Sequence, residues 1–307
     1  MVNNISFPNL GLNFSINRAA FSIGNVNIYW YGLIIALGMI IALAYGIREF
    51  KRCGLKQDDL LNMFLICVPV AIICARLYYV IFSFDQYRDN LLSIFDIRNG
   101  GIAVYGSLIG AGIVVLVYCL KKKINLGAVL DILAVGFLIG QAVGRWGNFV
   151  NGEAFGTATT LPWAMTIASD GVTYAESVHP TFLYESLWDL AGVIILLVYR
   201  KHKGFNGEIF LGYILWYGIG RFWIEGLRTD SLYLGPLRIS QVVALMSVFL
   251  GLAGIAAGRF LKHKNIKISV GKPKGIEKSS LEEPKDDNDD IDAVSYTHLT
   301  LPTNSLV

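Results

Sequence analysis

Seven apolar runs, each close to the length that crosses a lipid bilayer, constrain the fold more than any other feature of the sequence. A helix of about 20 apolar residues spans the hydrocarbon core of a membrane. Only 16% of the 307 residues are charged, whereas soluble domains contain about 25%. The sequence therefore predicts an all-α polytopic membrane protein with seven transmembrane helices. The runs cover residues 28–47, 60–83, 102–120, 128–146, 184–200, 207–226 and 239–260.

Lysine and arginine are concentrated in alternate loops, after the first, third, fifth and seventh runs. Lys51 and Arg52 follow the first run, and Lys121, Lys122 and Lys123 follow the third. Cytoplasmic loops of membrane proteins are enriched in these residues. The pattern predicts that the N-terminus lies outside and the C-terminus in the cytoplasm. No basic cluster interleaved with aromatic residues indicates a nucleic-acid partner.

Composition divides the chain into three parts. Residues 1–27 are expected to form an irregular arm at the outer membrane face, and residues 28–261 a seven-helix membrane domain that includes a polar outer loop, 147–183. Residues 262–307 contain the acidic stretch EEPKDDNDDID, which cannot bury a core and predicts a disordered cytoplasmic tail. We assign no role to the uncharged residues 295–307, which could be foreign to the functional protein.

The motif GRWGNFVNGEAFG, residues 144–156, ends the fourth run and contains Arg145, Asn148, Asn151 and Glu153. An arginine at the end of a membrane helix is costly, so it indicates a functional site by default. A cation beside amide groups suits a phosphate ester, and four glycines would let the backbone leave the helix here. The alternative is a simple helix-end turn whose arginine extends to the lipid headgroups.

The sixth run ends in YGIGRFWIEGLRTD, where Tyr217, Arg221, Glu225 and Arg228 are spaced to share one helical face. Arg221 and Glu225 could form a self-contained ion pair at the helix end. In the other interpretation, Arg221 faces Arg145 at the outer side of the membrane. Two guanidinium groups there would suit a phospholipid headgroup, because guanidinium binds phosphate through two hydrogen bonds.

Three further motifs at the predicted outer side contain residues that could join a site. His179 in HPTFLYES is the one histidine placed outside by the predicted topology, and Tyr184 and Glu185 follow it. Tyr31 in IYWYGL lies at the outer interface, where an aromatic belt is the alternative reading. Tyr105 in GGIAVYGSLIG is expected about one turn inside the third run, where a buried hydroxyl needs a partner.

Glycines four residues apart form two small-residue ridges, one with Gly106 and Gly110 and one with Gly136, Gly140 and Gly144. Ridges of this kind let helix backbones approach each other closely within membranes. Both ridges are therefore predicted to pack against neighbouring helices.

From the FPNLG arm to about residue 260, the motifs and their order resemble the prolipoprotein diacylglyceryl transferase family. The resemblance implies transfer of an sn-1,2-diacylglyceryl group from phosphatidylglycerol to the lipobox cysteine of a prolipoprotein signal peptide. The products would be a thioether and glycerol 1-phosphate, in the first step of bacterial lipoprotein maturation. It implies a multi-pass enzyme of the bacterial cytoplasmic membrane, surrounded by membrane lipids, with its site toward the outer leaflet. No metal or soluble cofactor is implied.

The resemblance also implies roles for the motif residues. Arg145 and Arg221 would be the essential cations, and Glu225 the acid paired with Arg221. The expected catalytic set is Arg145, Arg221, Glu153 and Tyr105, and the expected substrate-binding set is Tyr31, Asn148, Asn151, Gly156, Glu225, Arg228 and His179.

Tyr105 is a departure from the family pattern, since some members have a histidine at this position that has been proposed as the base. A tyrosine with a pKa of about 10 is a poor base near neutral pH. We expect Tyr105 to orient the donor, with the thiol proton passing to the departing phosphate or to Glu153. The alternative function is a transporter or channel for an anionic lipid or solute. A retinal-type receptor is disfavoured because the seventh run has no lysine.

Overall fold

The computed structural model describes residues 2–24, 26–88, 90–96, 100–229, 233–234 and 237–264. The predicted tail lies outside the described residues from residue 265 onward. Within these ranges the chain is mostly helical, and each predicted apolar run corresponds to one helix, with ends that differ by a few residues. The helices are α1 (Trp30–Arg52), α2 (Gln57–Phe82), α3 (Val104–Lys122), α4 (Leu126–Asn151), α5 (Thr181–Tyr199), α6 (Glu208–Leu227) and α7 (Ile239–His263).

Six of these helices in the described part of the chain are long and apolar enough to cross a membrane, and α6 is the helix that is not among them. The reason is its composition, because α6 carries Arg221 and Glu225 together with several glycines and tryptophans. The chain is therefore a polytopic helical membrane protein, with six spans supported by length and apolarity.

The fourth helix is longer than its apolar run. The side chain of Asn125 accepts a hydrogen bond from the N–H of Ala128 and so caps the N-terminus of α4. The helix continues through Asn151 and stops at Gly152, whose φ of 65° is left-handed. The expectation that the motif glycines release the backbone is therefore wrong at Gly144 and Gly147, which are helical. The glycine at 147 instead admits the ring of Tyr31, since an added Cβ would lie 2.7 Å from that ring.

The N-terminal arm is not irregular, and this prediction is corrected. It forms four strands, and the outer loop adds two that join the first pair in a four-stranded antiparallel sheet of order β2-β1-β5-β6. The first strand alternates exposed and buried residues, which is the period of a half-buried strand. The strands are β1 (Val2–Phe7), β2 (Leu12–Asn17), β3 (Ala19–Ile23), β4 (Val26–Tyr29), β5 (Met165–Ser169), β6 (Val172–Val178), β7 (Tyr233–Leu234) and β8 (Leu237–Arg238).

The four-stranded sheet is fixed to the end of α4 and the start of α5. Its buried face, with Ile5 and Ile167 as fully buried members, packs against Phe182 of α5. The buried side chain of Asn3 donates a hydrogen bond of 2.8 Å to the carbonyl of Val150. The Tyr174 hydroxyl donates one of 2.7 Å to the carbonyl of Gly152. These contacts hold the motif at the end of α4 beneath the sheet.

The membrane helices pack in pairs, with α1 along α4, α2 along α3, and α6 along α7. The prediction of close packing is confirmed for α3, because a Cβ added at Gly110 would lie 2.7 Å from that of Cys74. The ridge on α4 also packs on α1, because a Cβ added at Gly38 of α1 would lie 3.3 Å from the carbonyl oxygen of Gly140, and one added at Gly144 would lie 3.3 Å from Ile35. A Cβ added at Gly140 itself would meet no atom within 4 Å, and one at Gly136 would meet its nearest neighbour at 3.8 Å. These two glycines therefore also line a cavity.

Candidate active site

A buried carboxylate on α5, that of Glu185, is the centre of the polar site. Its Oε2 contacts Nη2 of Arg145 on α4. Its Oε1 lies 3.1 Å from Nη1 of Arg228 and 3.5 Å from Nη1 of Arg221. Arg221 also pairs with Glu225 one turn along α6, at 2.7 Å. Residues far apart in the sequence thus bring three guanidinium groups to one carboxylate.

The three arginines differ in how accessible their side chains are to a ligand. The side chains of Arg145 and Arg221 are 22% and 21% exposed, and that of Arg228 is 10% exposed. A guanidinium has five N–H donors, so the carboxylates fix these two arginines in place while leaving donors for an anion. The geometry therefore forms a site with two reachable cations held by Glu185 and Glu225.

Hydrogen bonds to α4 and α6 hold α5 in position beside the arginines. The Trp146 indole N–H donates to the Ser186 hydroxyl at 3.2 Å, and that hydroxyl donates to the carbonyl of Ala142 at 2.8 Å. Between α5 and α6, the rings of Trp188 and Trp216 stack with their centroids 4.3 Å apart. Each indole N–H donates to the main-chain carbonyl of the other tryptophan, at 3.1 and 3.0 Å. The spacing between α4, α5 and α6 is thus fixed beside the arginines.

The remaining polar residues of the α4 motif are organised by Glu153. Its Oε1 accepts hydrogen bonds from the amide groups of Asn148, at 3.0 Å, and of Asn151, at 3.2 Å. Asn148 lines the same cavity as Arg145 and Tyr31. Tyr31 also lines a second cavity with Asn151. The structure therefore brings the predicted residues of α1 and α4 together around the C-terminal end of α4.

Gly156 allows a close crossing of backbones beside the site. Its N–H donates to the carbonyl of His179 at 2.9 Å, and it forms an isolated β-bridge with Arg228. A Cβ at this position would lie 2.7 Å from that of His179 and 3.0 Å from the carbonyl oxygen of Leu227. Glycine is thus required here so that the outer loop can hold the segment that carries Arg228.

His179 lies in a separate hydrogen-bonded group. Its Nδ1 is 3.2 Å from the Tyr184 hydroxyl, which also accepts a hydrogen bond of 2.7 Å from the Trp163 indole. Burial lowers the pKa of His179 from its ordinary value. A neutral imidazole can accept a hydrogen bond from the Tyr184 hydroxyl at Nδ1, whereas a charged imidazolium cannot.

Tyr105 is half-exposed, at 50%, so the expectation that it is buried is wrong. Its described ring contact is with Tyr78 on α2, with centroids 6.4 Å apart. Among the described residues, Tyr105 is not one of those that line the cavities beside Arg145. The structure thus places it at the α2–α3 pair, apart from the contacts that join the arginines.

Sequence reasoning gave too little weight to three residues near the arginines. It named Glu185 only as a residue that could join the site, and it did not single out Asp189, which is buried and lines a small cavity with Arg145 and Arg221. It also did not place Arg238 in the site, although Nη1 of that residue contacts the carbonyls of Glu225 and Arg228. Two acidic residues four apart within an apolar run were the available signal.

A cavity of about 440 Å³ extends from the site along α1, α2 and α4. Tyr31, Arg145 and Asn148 lie at one end, and Gly46, Leu60 and Ile132 at the other. Apart from these polar residues and Gln141, its lining is apolar and glycine-rich. Within the described residues, no group of three or more His, Cys, Asp and Glu side chains is placed to hold a metal ion.

Residues 18–257 match the family model of prolipoprotein diacylglyceryl transferase. The chain belongs to this family. It is similar to a phosphatidylglycerol–prolipoprotein diacylglyceryl transferase of Clostridioides difficile, with 48% identity over 250 residues, 81% of this chain and 97% of that protein. Proteins of the same name from Finegoldia magna and Limosilactobacillus reuteri are 47% and 44% identical, over 77% and 84% of this chain and 93% and 96% of theirs.

Membership of the prolipoprotein diacylglyceryl transferase family makes the chain a transferase, and its apolar helices make it a multi-pass membrane protein. The resemblance drawn from its motifs is confirmed. The alternative of a transporter or channel is not favoured by these matches.

Proposed function

We propose that the chain transfers the sn-1,2-diacylglyceryl group of phosphatidylglycerol to the thiol of a lipobox cysteine in a prolipoprotein signal peptide. The observation that carries the proposal is the convergence of Arg145, Arg221 and Arg228 on Glu185 beside an apolar cavity. A lipid with a phosphate headgroup needs both features in one site.

In the proposed reaction the cysteine sulfur attacks the glyceryl carbon that bears the phosphate. A C–S bond forms, the C–O bond breaks, and its electron pair leaves with the phosphate as glycerol 1-phosphate. The thiol proton passes to the departing phosphate or to Glu153. Charge develops on the leaving phosphate in the transition state, and fixed cations directed at it lower the barrier.

The contacts support distinct roles for the residues around this phosphate. Arg145 and Arg221 would bind it, because they are the more exposed of the three arginines. Glu185 and Glu225 would hold the guanidinium groups in position. Arg228 would help to neutralise and position the Glu185 carboxylate.

The predicted residues outside the arginine cluster would support the substrate. Asn148 and Asn151 would orient Glu153 near the cavity, and Tyr31 lines both cavities. Gly156 and His179 would shape the outer loop beside Arg228, because Gly156 donates a backbone hydrogen bond to His179 and forms a β-bridge with Arg228. Tyr105 would orient lipid at the α2–α3 pair and take no proton.

We also propose a topology of seven spans with the N-terminus outside, the C-terminus in the cytoplasm and the site toward the outer leaflet of the bacterial cytoplasmic membrane. In this topology α6 is the seventh span, and its Arg221–Glu225 pair reduces the cost of burying either charge. The basic loops would face the cytoplasm, and the β-sheet of the arm and outer loop would lie outside.

The direct test incubates the purified full-length protein with phosphatidylglycerol and a lipobox peptide, and measures the peptide by mass spectrometry. We expect a mass increment equal to one diacylglyceryl group. A peptide with serine in place of the lipobox cysteine should gain nothing. A folded preparation that leaves the cysteine peptide unmodified would overturn the proposed function.

A further inference from the structure

We propose that Gly140, on the cavity side of α4, limits the length of the acyl chain that the donor site accepts, with Gly136 one turn deeper. This inference rests on the proposed function and assigns one wall of the cavity to one acyl chain of the donor. It concerns the selection of the lipid and involves none of the arginines.

The cavity is deep compared with a membrane leaflet. Its lining on α4 runs from Asn148 to Ile132, which at 1.5 Å per residue is about 24 Å. One leaflet contributes roughly half of the 30 Å hydrocarbon core, or about 15 Å. An apolar space of this depth that begins beside Arg145 and Asn148 matches a lipid whose phosphate lies at the arginines and whose chain runs inward.

The carbonyl of Gly140 approaches Gly38 of α1, but no neighbouring helix fills the space that a side chain at position 140 would enter. An added Cβ would meet no atom within 4 Å at Gly140 and only ordinary contacts, the nearest at 3.8 Å, at Gly136. By contrast, a Cβ at Gly110 would lie within 2.8 Å of the Cys74 sulfur. Glycine destabilises a helix relative to alanine, so a glycine whose added Cβ would face open space in a cavity wall is consistent with room kept for a ligand.

A saturated or monounsaturated chain is the occupant that fits this wall. Its neighbours are apolar side chains such as Ile35 and Met39 of α1, and Phe64 of α2. Gln141 is the polar exception along the middle of the cavity. A polar headgroup would leave its own hydrogen-bonding groups without partners in such a space.

The distance of each glycine from the polar end of the cavity predicts the length of acyl chain that a larger side chain there would exclude. Gly140 lies eight residues from Asn148, or about 12 Å along the helix, and Gly136 lies about 18 Å away. A leucine at 140 would project into the cavity at that depth without displacing a neighbouring helix. Short chains would still fit above it, whereas long chains would not.

The test compares dipalmitoyl- and dioctanoyl-phosphatidylglycerol as donors for wild type and Gly140→Leu, with transfer to the lipobox peptide as the readout. The matched control is Gly112→Leu, because Gly112 is an exposed glycine of α3 whose added Cβ also meets nothing within 4 Å. We expect the ratio of kcat/KM for the long donor over the short donor to fall about tenfold or more in Gly140→Leu. The ratio should stay at the wild-type value in Gly112→Leu.

The outcomes separate the inference from the proposed function. Wild type that transfers from neither donor would overturn the function. Wild type that transfers normally, with an unchanged donor ratio in folded Gly140→Leu, would overturn the inference. If the leucine variant does not fold, Gly140→Ala adds a single methyl group to open space and should lower the ratio in the same direction. An unchanged ratio in folded Gly140→Ala would then count against the inference.

Discussion

At the scale of single residues, the site depends on how buried charges are paired. Glu185 is in contact with three guanidinium groups, and its side chain is only 7% exposed. The sequence predicts that Arg145 and Arg221 approach each other, because both end apolar runs on the same side. It could not predict their shared carboxylate, since that contact depends on the rotation of α5 relative to α4 and α6.

Glu185→Gln should strongly destabilise the protein. The amide keeps the shape of the side chain but removes the negative charge that Arg145, Arg221 and Arg228 share, while Glu225 remains paired with Arg221. Breaking a buried ion pair in this way typically costs about 3–5 kcal/mol. Thermal melting in detergent should show a clear fall in Tm, and transfer should be lost. Glu176→Gln, at an exposed position of β6, is the matched control and should melt like wild type. A Tm for Glu185→Gln equal to that of this control would contradict the account.

The second prediction at this scale concerns pH. The pKa of His179 is lowered by burial from its ordinary value of 6.5, so the unfolded chain binds this proton more readily than the folded one. Stability should therefore be complete above about pH 6.5 and fall as pH decreases toward the lower folded pKa. His179→Gln should lose this part of the acid dependence when Tm is followed between about pH 7 and pH 5. Identical pH profiles for the two proteins would show that His179 does not contribute.

At the scale of elements, helix packing is what brings the charges together. An added Cβ at Gly220 of α6 would overlap the indole nitrogen of Trp188 on α5. Gly220→Ala should therefore push these helices apart beside Arg221, which would lower both Tm and the rate of transfer. Gly226→Ala on the same helix is the control, because its nearest contact would be an ordinary 3.6 Å. Wild-type values for Gly220→Ala would mean that the close approach has no functional importance.

The helices could be predicted from sequence because a membrane-spanning run is long, apolar and local. The strands of the arm could not be assigned with the same reasoning. The first strand has only six residues, and its buried Asn3 breaks the alternation of polar and apolar side chains that marks a strand. It also pairs with β5 about 160 residues away, as in the pair Asn3 and Ser169. The cavity beside Gly140 was also missed. Glycines four residues apart predict close helix packing, but the sequence does not show whether a helix or a cavity faces each glycine.

At the scale of the whole molecule, the account requires the β-sheet and the basic loops to lie on opposite sides of the membrane. Single cysteines introduced as Thr173→Cys in β6 and Lys122→Cys at the end of α3 test this, in a background with the exposed Cys53 replaced by serine. An impermeant maleimide added to intact cells should label position 173 and not position 122. The reverse pattern would place the site at the cytoplasmic face.

The central claim is that Arg145 and Arg221 bind the phosphate of the lipid donor as it leaves. The most direct measurement is the rate of diacylglyceryl transfer to a lipobox peptide by folded Arg145→Ala and Arg221→Ala, with Arg88→Ala as the control. Arg88 is an exposed arginine, with 69% of its side chain accessible. Each site variant should lose a charge-assisted contact in the transition state and slow transfer by about 30- to 1,000-fold, while the control keeps the wild-type rate. A rate near that of wild type in either site variant would remove the arginines from the mechanism.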